Sequence, residues 1–181
     1  MRSRTGGQTQ LRAKRPSRSI ARLVADLRVP ASEGDMPRYF TVHQAERLLP
    51  VIKPLMEQAM VLFRALMQAG HELAGINWRI NALGGAFVNR QHITRLRNRE
   101  RATADRLREL IEEIQSQGCQ VKDLNLGLVD FPTRYRGREV LLCWKIDEPF
   151  IAYWHEVEAG FAGRQPIDEE FLQSHRGETE H

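Results

Sequence analysis

The stretch that decides the fold lies at residues 127–166 and reads GLVDFPTRYRGREVLLCWKIDEPFIAYWHEVEAGFAGRQP. Segments rich in β-branched and aromatic residues alternate here with turn signals such as Arg136-Gly137. The pattern predicts three strands, at 127–133, 138–146 and 150–155. The first two form a hairpin, because only a short turn separates them.

Upstream of this stretch the hydrophobic period changes to that of a helix. Thr41 and Gln44 form a capping-box pattern, which predicts that a helix begins at Thr41. Pro50 predicts a break or a kink after a short first helix. Apolar residues then recur at intervals of three and four, at Leu48, Ile52, Leu55, Ala59, Leu62 and Leu66. This spacing predicts a long amphipathic helix that ends near Ala82.

A second helix follows a glycine pair at Gly84 and Gly85, which predicts a tight break. Its apolar positions run from Ile93 to Ile114, and Gly118 is a typical residue after a helix end. Two long helices joined by a short turn form an antiparallel hairpin. The predicted fold class is therefore α+β: a long antiparallel helical hairpin followed by a small antiparallel three-stranded β unit.

The domain organisation follows from composition. A chain of 181 residues has the length of one domain. We predict a basic, disordered arm at 1–37, one α+β domain at 38–168 and a polar, frayed tail at 169–181. Within the domain the hairpin spans 41–118 and the β unit spans 119–168. Because Met36 directly precedes the domain, either Met1 or Met36 is the natural start.

The positive charge of the chain is concentrated in the arm. Residues 1–35 carry eight Lys or Arg against three acidic residues, a net charge of +5, while the whole chain has +4. A basic arm of this kind predicts contact with RNA, DNA or another acidic surface. An inert arm, or one that precedes the natural start, is the equal alternative.

The predicted cellular setting is the cytoplasm, without a membrane partner. No apolar run approaches the ~20 residues of a membrane helix, and the N-terminus lacks the apolar region of a secretory signal. Two cysteines, Cys119 and Cys143, form no disulfide framework, which is typical of a reducing compartment.

Arginines crowd the second helix. One face carries Arg97, Arg101 and Arg108, and a neighbouring face carries Arg95, Arg99 and Arg106. They predict either a phosphate-binding ridge or a solvated face in which acidic neighbours form salt bridges. Five acidic residues between positions 100 and 113 favour the second interpretation.

His155 is the principal candidate for chemistry, because imidazole serves as a metal ligand, a base or a buried hydrogen-bonding group. With Cys143 and Glu158 it forms a ligand set suited to a divalent ion such as zinc. Strand alternation places Tyr153 and His155 on one face and Trp154 and Glu156 on the other. The structural alternative, which we favour, is a buried thiol beside a His hydrogen-bonded to Asp130 or Glu148.

Further ligand-binding candidates surround the same hairpin. They are Asp130, Trp144, Trp154, His155 and Arg164. Asp130 is placed to orient His155 or to pair with Arg164. The Gly-rich segment before Arg164 offers an anion site, although a guanidinium tied to an internal carboxylate is the better interpretation. The sequence has no Ser in a nucleophile elbow, and a mid-strand Cys143 is a poor nucleophile, so a hydrolase is disfavoured.

Several unbroken blocks resemble a bacterial family of unknown function, domain of unknown function 2203. The blocks are RYFTVHQAERLLP at 38–50, VKDLNLGL at 121–128, GLVDFP at 127–132, GREVLLCW at 137–144, YWHE at 153–156 and GFAGRQPI at 160–167. The resemblance covers about residues 38–168 and leaves out the arm. It implies a helical hairpin followed by a compact β unit, and it supplies no catalytic residues.

The functional hypothesis from sequence is a non-catalytic binding or assembly module. Near-heptad stripes on both helices predict a homo-oligomer or a protein partner along the hairpin. The first alternative is a divalent-metal or small-anion site in the β unit, with enzymatic activity. The second is RNA or ribosome contact through residues 1–35.

Overall fold

The computed structural model of the protein describes residues 38–83 and 89–177. The predicted basic arm at 1–37, the glycine break at 84–85 and residues 178–181 lie outside the described residues. Within them the architecture is the predicted one, a long helical hairpin followed by a small antiparallel sheet.

The first helix, α1 at Val42–Glu46, begins as the capping box predicts. The hydroxyl of Thr41 accepts a hydrogen bond from the Gln44 amide at 3.1 Å, and the Gln44 side chain accepts one from the Thr41 amide at 2.8 Å. Both otherwise unpaired amides are thereby satisfied. The break comes just before Pro50, which is the second residue of the next helix.

Two long helices form the hairpin: α2 at Leu49–Leu83 and α3 at Arg90–Gln115. Asn89 caps α3 by accepting a hydrogen bond from the His92 amide at 3.0 Å. The buried seam is formed by Ile52, Met56, Ala59, Phe63 and Leu66 of α2 and by Leu96, Ala104, Leu107, Ile111 and Ile114 of α3. These positions keep the helical spacing read from the sequence.

The apolar stripe predicted to seek a partner helix is largely used inside the chain. Leu48, Leu55 and Leu62 of the stripe are half-buried and pack against the core. The large apolar side chains that stay exposed on the two long helices are Val51, Val61 and Trp78, among the residues described. They are separated by ten and seventeen residues, so they form no continuous apolar face.

The sheet has six strands rather than the three predicted. They are β1 at Gln120–Asp123, β2 at Leu128–Tyr135, β3 at Arg138–Lys145, β4 at Tyr153–Glu156, β5 at Gln165–Pro166 and β6 at His175–Arg176. Strands β2, β3 and β4 correspond to the three predicted strands. The strand order in the sheet is β1-β2-β3-β4-β5, and β6 pairs with β2. The three additional strands have two to four residues, too few for alternation to be read from sequence.

One face of this sheet packs against the helices. Val129 and Phe131 of β2, Leu142 and Trp144 of β3 and Trp154 of β4 join the helical residues in one core. Antiparallel pairing sets Val129 opposite Trp144 and Leu142 opposite Trp154. The residues between them in sequence therefore belong to the other face of the sheet.

The C-terminal segment is ordered further than predicted. The expected frayed end is wrong for residues 169–176, which form the helix α4 at Glu169–Ser174 and then β6. Asp168 caps α4, and Phe171 is buried with its ring stacked 5.1 Å from Trp154. His175 accepts a hydrogen bond from the Val42 amide at 3.1 Å. One aromatic anchor thus holds a segment whose overall polarity predicts disorder.

Among the described residues, no helix combines the length and the apolar character that crossing a bilayer requires.

Candidate functional site

Three ionisable side chains lie together on the face of the sheet that points away from the helical core. Asp130 of β2 pairs with Cys143 of β3, and Cys143 pairs with Tyr153 of β4. His155 is two residues beyond Tyr153, so it shares their face and sits diagonally from Cys143. Strand register alone therefore brings a carboxylate, a thiol and an imidazole to one patch.

The three ligand-type atoms are close and shielded from solvent. One carboxylate oxygen of Asp130, the sulfur of Cys143 and one ring nitrogen of His155 all lie within 4.8 Å of one another. Nε2 of His155 is 3.2 Å from Oδ2 of Asp130. Each of the three residues is at most 2% exposed. Charged groups so buried require partners.

The orientation of the His155 ring is set by its backbone. Nδ1 lies 2.8 Å from the carbonyl oxygen of Glu156, so it carries a proton and donates to that oxygen. Nε2 is then the nitrogen that faces Asp130. Ligating histidines in metal sites use the same arrangement, in which one ring nitrogen donates to a carbonyl and the other binds the ion.

The proton content of the site follows from its neighbours. Burial lowers the pKa of His155, but hydrogen bonds to Asp130 and to the Glu156 carbonyl raise it more, so the pKa lies above its usual value. Burial, then the negative charge of Asp130, raises the pKa of the Cys143 thiol. In the metal-free protein at neutral pH, Cys143 is therefore a thiol, and His155 keeps the proton that it shares with Asp130 to a higher pH than a free imidazole does.

One buried oxygen atom of the site has unsatisfied hydrogen-bonding capacity. Oδ1 of Asp130 is buried and has no hydrogen-bond partner among the described residues. A buried carboxylate oxygen without a donor costs free energy, and native structures contain few of them. A bound cation would remove that cost.

The ligand set fits a transition metal. Zn²⁺ binds thiolate, imidazole and carboxylate at about 2.0–2.3 Å, which in a tetrahedron separates neighbouring ligand atoms by roughly 3.3–3.8 Å. The spacing of the three side chains is compatible with that geometry after small rotamer changes. Mg²⁺ and Ca²⁺ prefer sites made of oxygen atoms, so the sulfur of Cys143 disfavours both.

The structure does not bring Glu158 to the site predicted for Cys143, His155 and Glu158. Glu158 is exposed and follows the end of β4, whereas Asp130 from the opposite side of β3 takes the third position. The reason is the end of the strand: the chain turns after Glu156, so Glu158 is no longer two residues along an extended segment.

The five ligand-binding candidates also divide between different places. Asp130 and His155 come together, but Trp144 and Trp154 lie in the core on the opposite face. The indole N–H of Trp144 donates to the Glu148 carbonyl at 3.0 Å. Both tryptophans are therefore packing residues, as alternation along β3 and β4 requires.

Arg164 forms a brace beside the site. Its Nη2 donates to the carboxylate of Glu148 at 2.7 Å and to the carbonyl of Cys143 at 2.9 Å. The guanidinium also lies over the rings of Tyr153 and Phe161, at 4.2 and 5.0 Å. Glu148 already neutralises its charge, so this geometry matches an internal carboxylate rather than an open anion site.

A separate surface pocket of about 340 Å³ lies near the start of α2. Apolar groups of Pro50, Trp144 and Phe150 line it, together with the carboxylate of Glu46. That carboxylate accepts a hydrogen bond from the Ile151 amide at 3.2 Å. This carboxylate thus already serves the fold, and the pocket offers less chemistry than the buried cluster.

Comparison with known proteins identifies the family to which this chain is similar. The family described as "Uncharacterized conserved protein (DUF2203)" matches residues 38–167. The chain belongs to the DUF2203 family. The match spans the helical hairpin and strands β1 to β5 of this DUF2203 protein, including Asp130, Cys143 and His155. No curated protein and no solved structure gives a significant match.

Proposed function

We propose that this DUF2203 protein is a non-catalytic binding protein whose sheet holds a divalent transition-metal ion, with zinc the best match. The observation that carries the proposal is the placement of Asp130, Cys143 and His155. Three different ligand types from three neighbouring strands meet within 4.8 Å. A structural role favours keeping such polar groups apart or hydrogen-bonded in pairs, whereas a metal needs all three at one point.

The surroundings of each ligand residue also support the proposed metal site. Nδ1 of His155 already donates a hydrogen bond to the Glu156 carbonyl, which leaves Nε2 as the nitrogen that would bind the ion. Asp130 has a buried oxygen, Oδ1, without a hydrogen-bond partner in the described part of the chain, and it can serve as a second carboxylate ligand. Metal ligation would also deprotonate Cys143, because a bound cation reverses the effect of burial on a thiol.

The proposed role of the ion is to hold strands together rather than to activate a substrate. Asp130, Cys143 and His155 belong to β2, β3 and β4, the three central strands. Their burial leaves little access for a substrate, unlike a catalytic zinc site with an open position. Metal binding free energy would then add directly to the stability of the sheet.

The test is elemental analysis of purified, untagged, full-length protein by mass spectrometry. Wild type is expected to carry about one zinc per chain, and His155→Gln and Cys143→Ala to lose it. Cys119→Ala is the matched control, because Cys119 is also buried but its sulfur lies 3.1 Å from the Ile114 carbonyl and outside the cluster. This control variant is expected to retain the ion.

Cobalt provides a second readout that does not depend on which metal survives purification. Co²⁺ added to metal-free protein is expected to give a thiolate charge-transfer absorption that Cys143→Ala removes and Cys119→Ala keeps. Absence of both stoichiometric zinc and the cobalt band would show that the three side chains are a hydrogen-bonded cluster, and the proposal would be withdrawn.

Self-association through the hairpin stays a separate prediction. The apolar stripe that motivates it packs mostly within the chain, so among the described residues no specific contact surface favours it over a monomer. Light scattering on the full-length protein at two concentrations checks it, and a constant monomer mass would contradict it. The predicted RNA contact through residues 1–35 involves a segment outside the described residues and also stays a prediction.

A further inference from the structure

The far end of the helical hairpin carries a separate concentration of positive charge. Glu72 of α2 contacts His92 of α3 at 3.2 Å, which fixes the level at which the two helices meet near their turn. We define the distal hairpin as residues 71–83 and 89–101. It contains six arginines and two glutamates, a net charge of +4. The arginines are Arg79, Arg90, Arg95, Arg97, Arg99 and Arg101.

The acidic groups of the distal hairpin do little to offset this charge at the surface. Glu100 is 7% exposed, and Glu72 is the partner of His92. All six arginines are exposed, and none forms an ion pair with another described residue. The Nε group of Arg95 donates to the Gln91 carbonyl at 3.4 Å, which leaves its charge uncompensated.

The rest of α3 has the opposite character. Arg106 pairs with Glu109 at 2.8 Å, and Arg108 pairs with Asp105 at 3.0 Å. Residues 102–115 carry two arginines and four acidic residues, a net charge of −2. Among the described residues, the ion pairs that match the predicted salt-bridged face of α3 lie in its second half. The unpaired arginines cluster where the hairpin is farthest from the sheet.

Geometry and chemistry fit a polyanion at this end. Arg90, Arg97 and Arg101 are spaced seven and four residues apart, so they lie on one helical face. Guanidinium groups bind phosphate through two hydrogen bonds at once. Trp78, in the same distal region, is 68% exposed and presents an indole ring to solvent.

We propose that the distal hairpin of this protein binds single-stranded RNA, with arginines on the phosphates and Trp78 stacked on an unpaired base. An exposed aromatic ring on a surface that also carries arginines is the combination used by proteins that bind single strands without sequence preference. Duplexes bury their base faces and offer no stacking site along their length. RNA exposes unpaired bases in its loops and ends, which makes it the matching partner.

An anionic membrane is the competing polyanion, and the surface fits it less well. Membrane-surface helices need a broad apolar face opposite the basic one. Trp78 is the one large apolar side chain that is exposed in the described part of the distal hairpin. A single indole supplies too little apolar area for insertion into the lipid interface.

The experiment measures binding of full-length protein to a fluorescein-labelled 20-nucleotide oligo(U) by anisotropy, across a series of salt concentrations. Arg97→Gln/Arg101→Gln is expected to weaken binding at least tenfold and to reduce the slope of log K against log salt by about 1.4. Trp78→Ala is expected to weaken binding about tenfold. Arg106→Gln/Arg108→Gln is the matched control on the same helix, and it is expected to change affinity less than twofold.

Two further comparisons test where the RNA binds and which polyanion the protein prefers. Arg12→Gln/Lys14→Gln/Arg15→Gln removes charge from the N-terminal arm, and loss of binding in this variant alone would overturn a distal-hairpin site. Binding to a 20-base-pair duplex or to phosphatidylserine vesicles that equals binding to oligo(U) would overturn the assignment to single-stranded RNA. Thermal melts confirm that each variant is folded, so unchanged oligo(U) affinity in the distal variants would also overturn it.

Discussion

Nε2 of His155 lies 3.2 Å from Oδ2 of Asp130 across the intervening strand β3, and the two side chains are 2% and 3% exposed. The pair links β2 to β4, which are not direct neighbours in the sheet. Because the site is shielded from water, its charges interact more strongly than a surface pair does. The pair therefore shapes the stability of the metal-free protein as well as the affinity of the proposed metal site.

The first prediction concerns the pH dependence of stability in metal-free protein. The pKa of His155 in the folded state lies above the value of 6.5 for a free side chain. Protonated His155 therefore stabilises the fold fully below about pH 6.5, and this contribution is lost as pH rises through the folded pKa. Urea unfolding in the presence of a chelator is expected to give a falling free energy of unfolding across that window.

Replacing the carboxylate tests the cause of this slope. Asp130→Asn is expected to lower the free energy of unfolding by about 3 kcal/mol near pH 6 and to remove most of the contribution of His155 to the slope. Glu72→Gln, which disrupts the exposed pair with His92, is the control and is expected to cost less than about 1 kcal/mol. A slope that persists unchanged in Asp130→Asn would contradict the assignment to this pair.

The second prediction concerns metal affinity. Binding at Cys143 and His155 displaces the thiol proton and the proton between His155 and Asp130, so zinc competes with protons for both ligands. Zinc affinity is expected to fall as pH falls, by up to about 100-fold per pH unit where two protons are displaced. Calorimetry in two buffers of different ionisation enthalpy counts the released protons. An affinity independent of pH would place the ion elsewhere.

The sequence predicted the central elements because each carries a strong local signal. The capping box at Thr41 and Gln44 marks the start of the helices, and β2 and β3 follow from the β-rich segments around Arg136-Gly137. Local rules suffice where one segment contains all the information. The same rules placed Tyr153 and His155 on one face and Trp154 on the other, as strand pairing shows.

The candidate site was only partly predictable, because its third member depends on register. Cys143 and His155 are twelve residues apart in sequence, and Glu158 was the nearest carboxylate if β4 continued. Only the pairing of Asp130 with Cys143 shows which carboxylate lies beside them. The order of the C-terminal segment was missed for a related reason, since the burial of Phe171 depends on tertiary contacts with Tyr135 and Trp154.

The third prediction concerns the brace beside the site. Arg164 and Glu148 are 11% and 19% exposed and 2.7 Å apart, and Glu148 also accepts from the Lys145 amide at 2.8 Å. A double-mutant cycle with Arg164→Gln and Glu148→Gln is expected to give a coupling free energy of roughly 1–3 kcal/mol. Arg164→Lys is expected to recover only part of it, because lysine cannot reproduce the planar contacts over Tyr153 and Phe161.

An exposed ion pair between β3 and β4 provides the control for that cycle. Arg138 and Glu156 are 4.0 Å apart, and their side chains are 74% and 42% exposed. Exposed pairs at this distance contribute little, so their coupling is expected to be below about 0.5 kcal/mol. Equal coupling in the two cycles would mean that burial does not strengthen the Arg164–Glu148 pair.

The fourth prediction compares two glycines that share a backbone conformation but not an environment. Gly127 has φ +67° and Gly137 has φ +79°, so an L side chain is strained at both. At Gly127 a Cβ would also lie 2.7 Å from the Ile146 side chain, whereas at Gly137 it would meet nothing within 4 Å. Gly137→Ala is therefore expected to cost about 1 kcal/mol and Gly127→Ala about 2–4 kcal/mol, since overpacking adds to backbone strain. Thermal and urea unfolding of both variants measure the difference, and equal losses would show that the close approach of Gly127 to Ile146 does not constrain the start of β2.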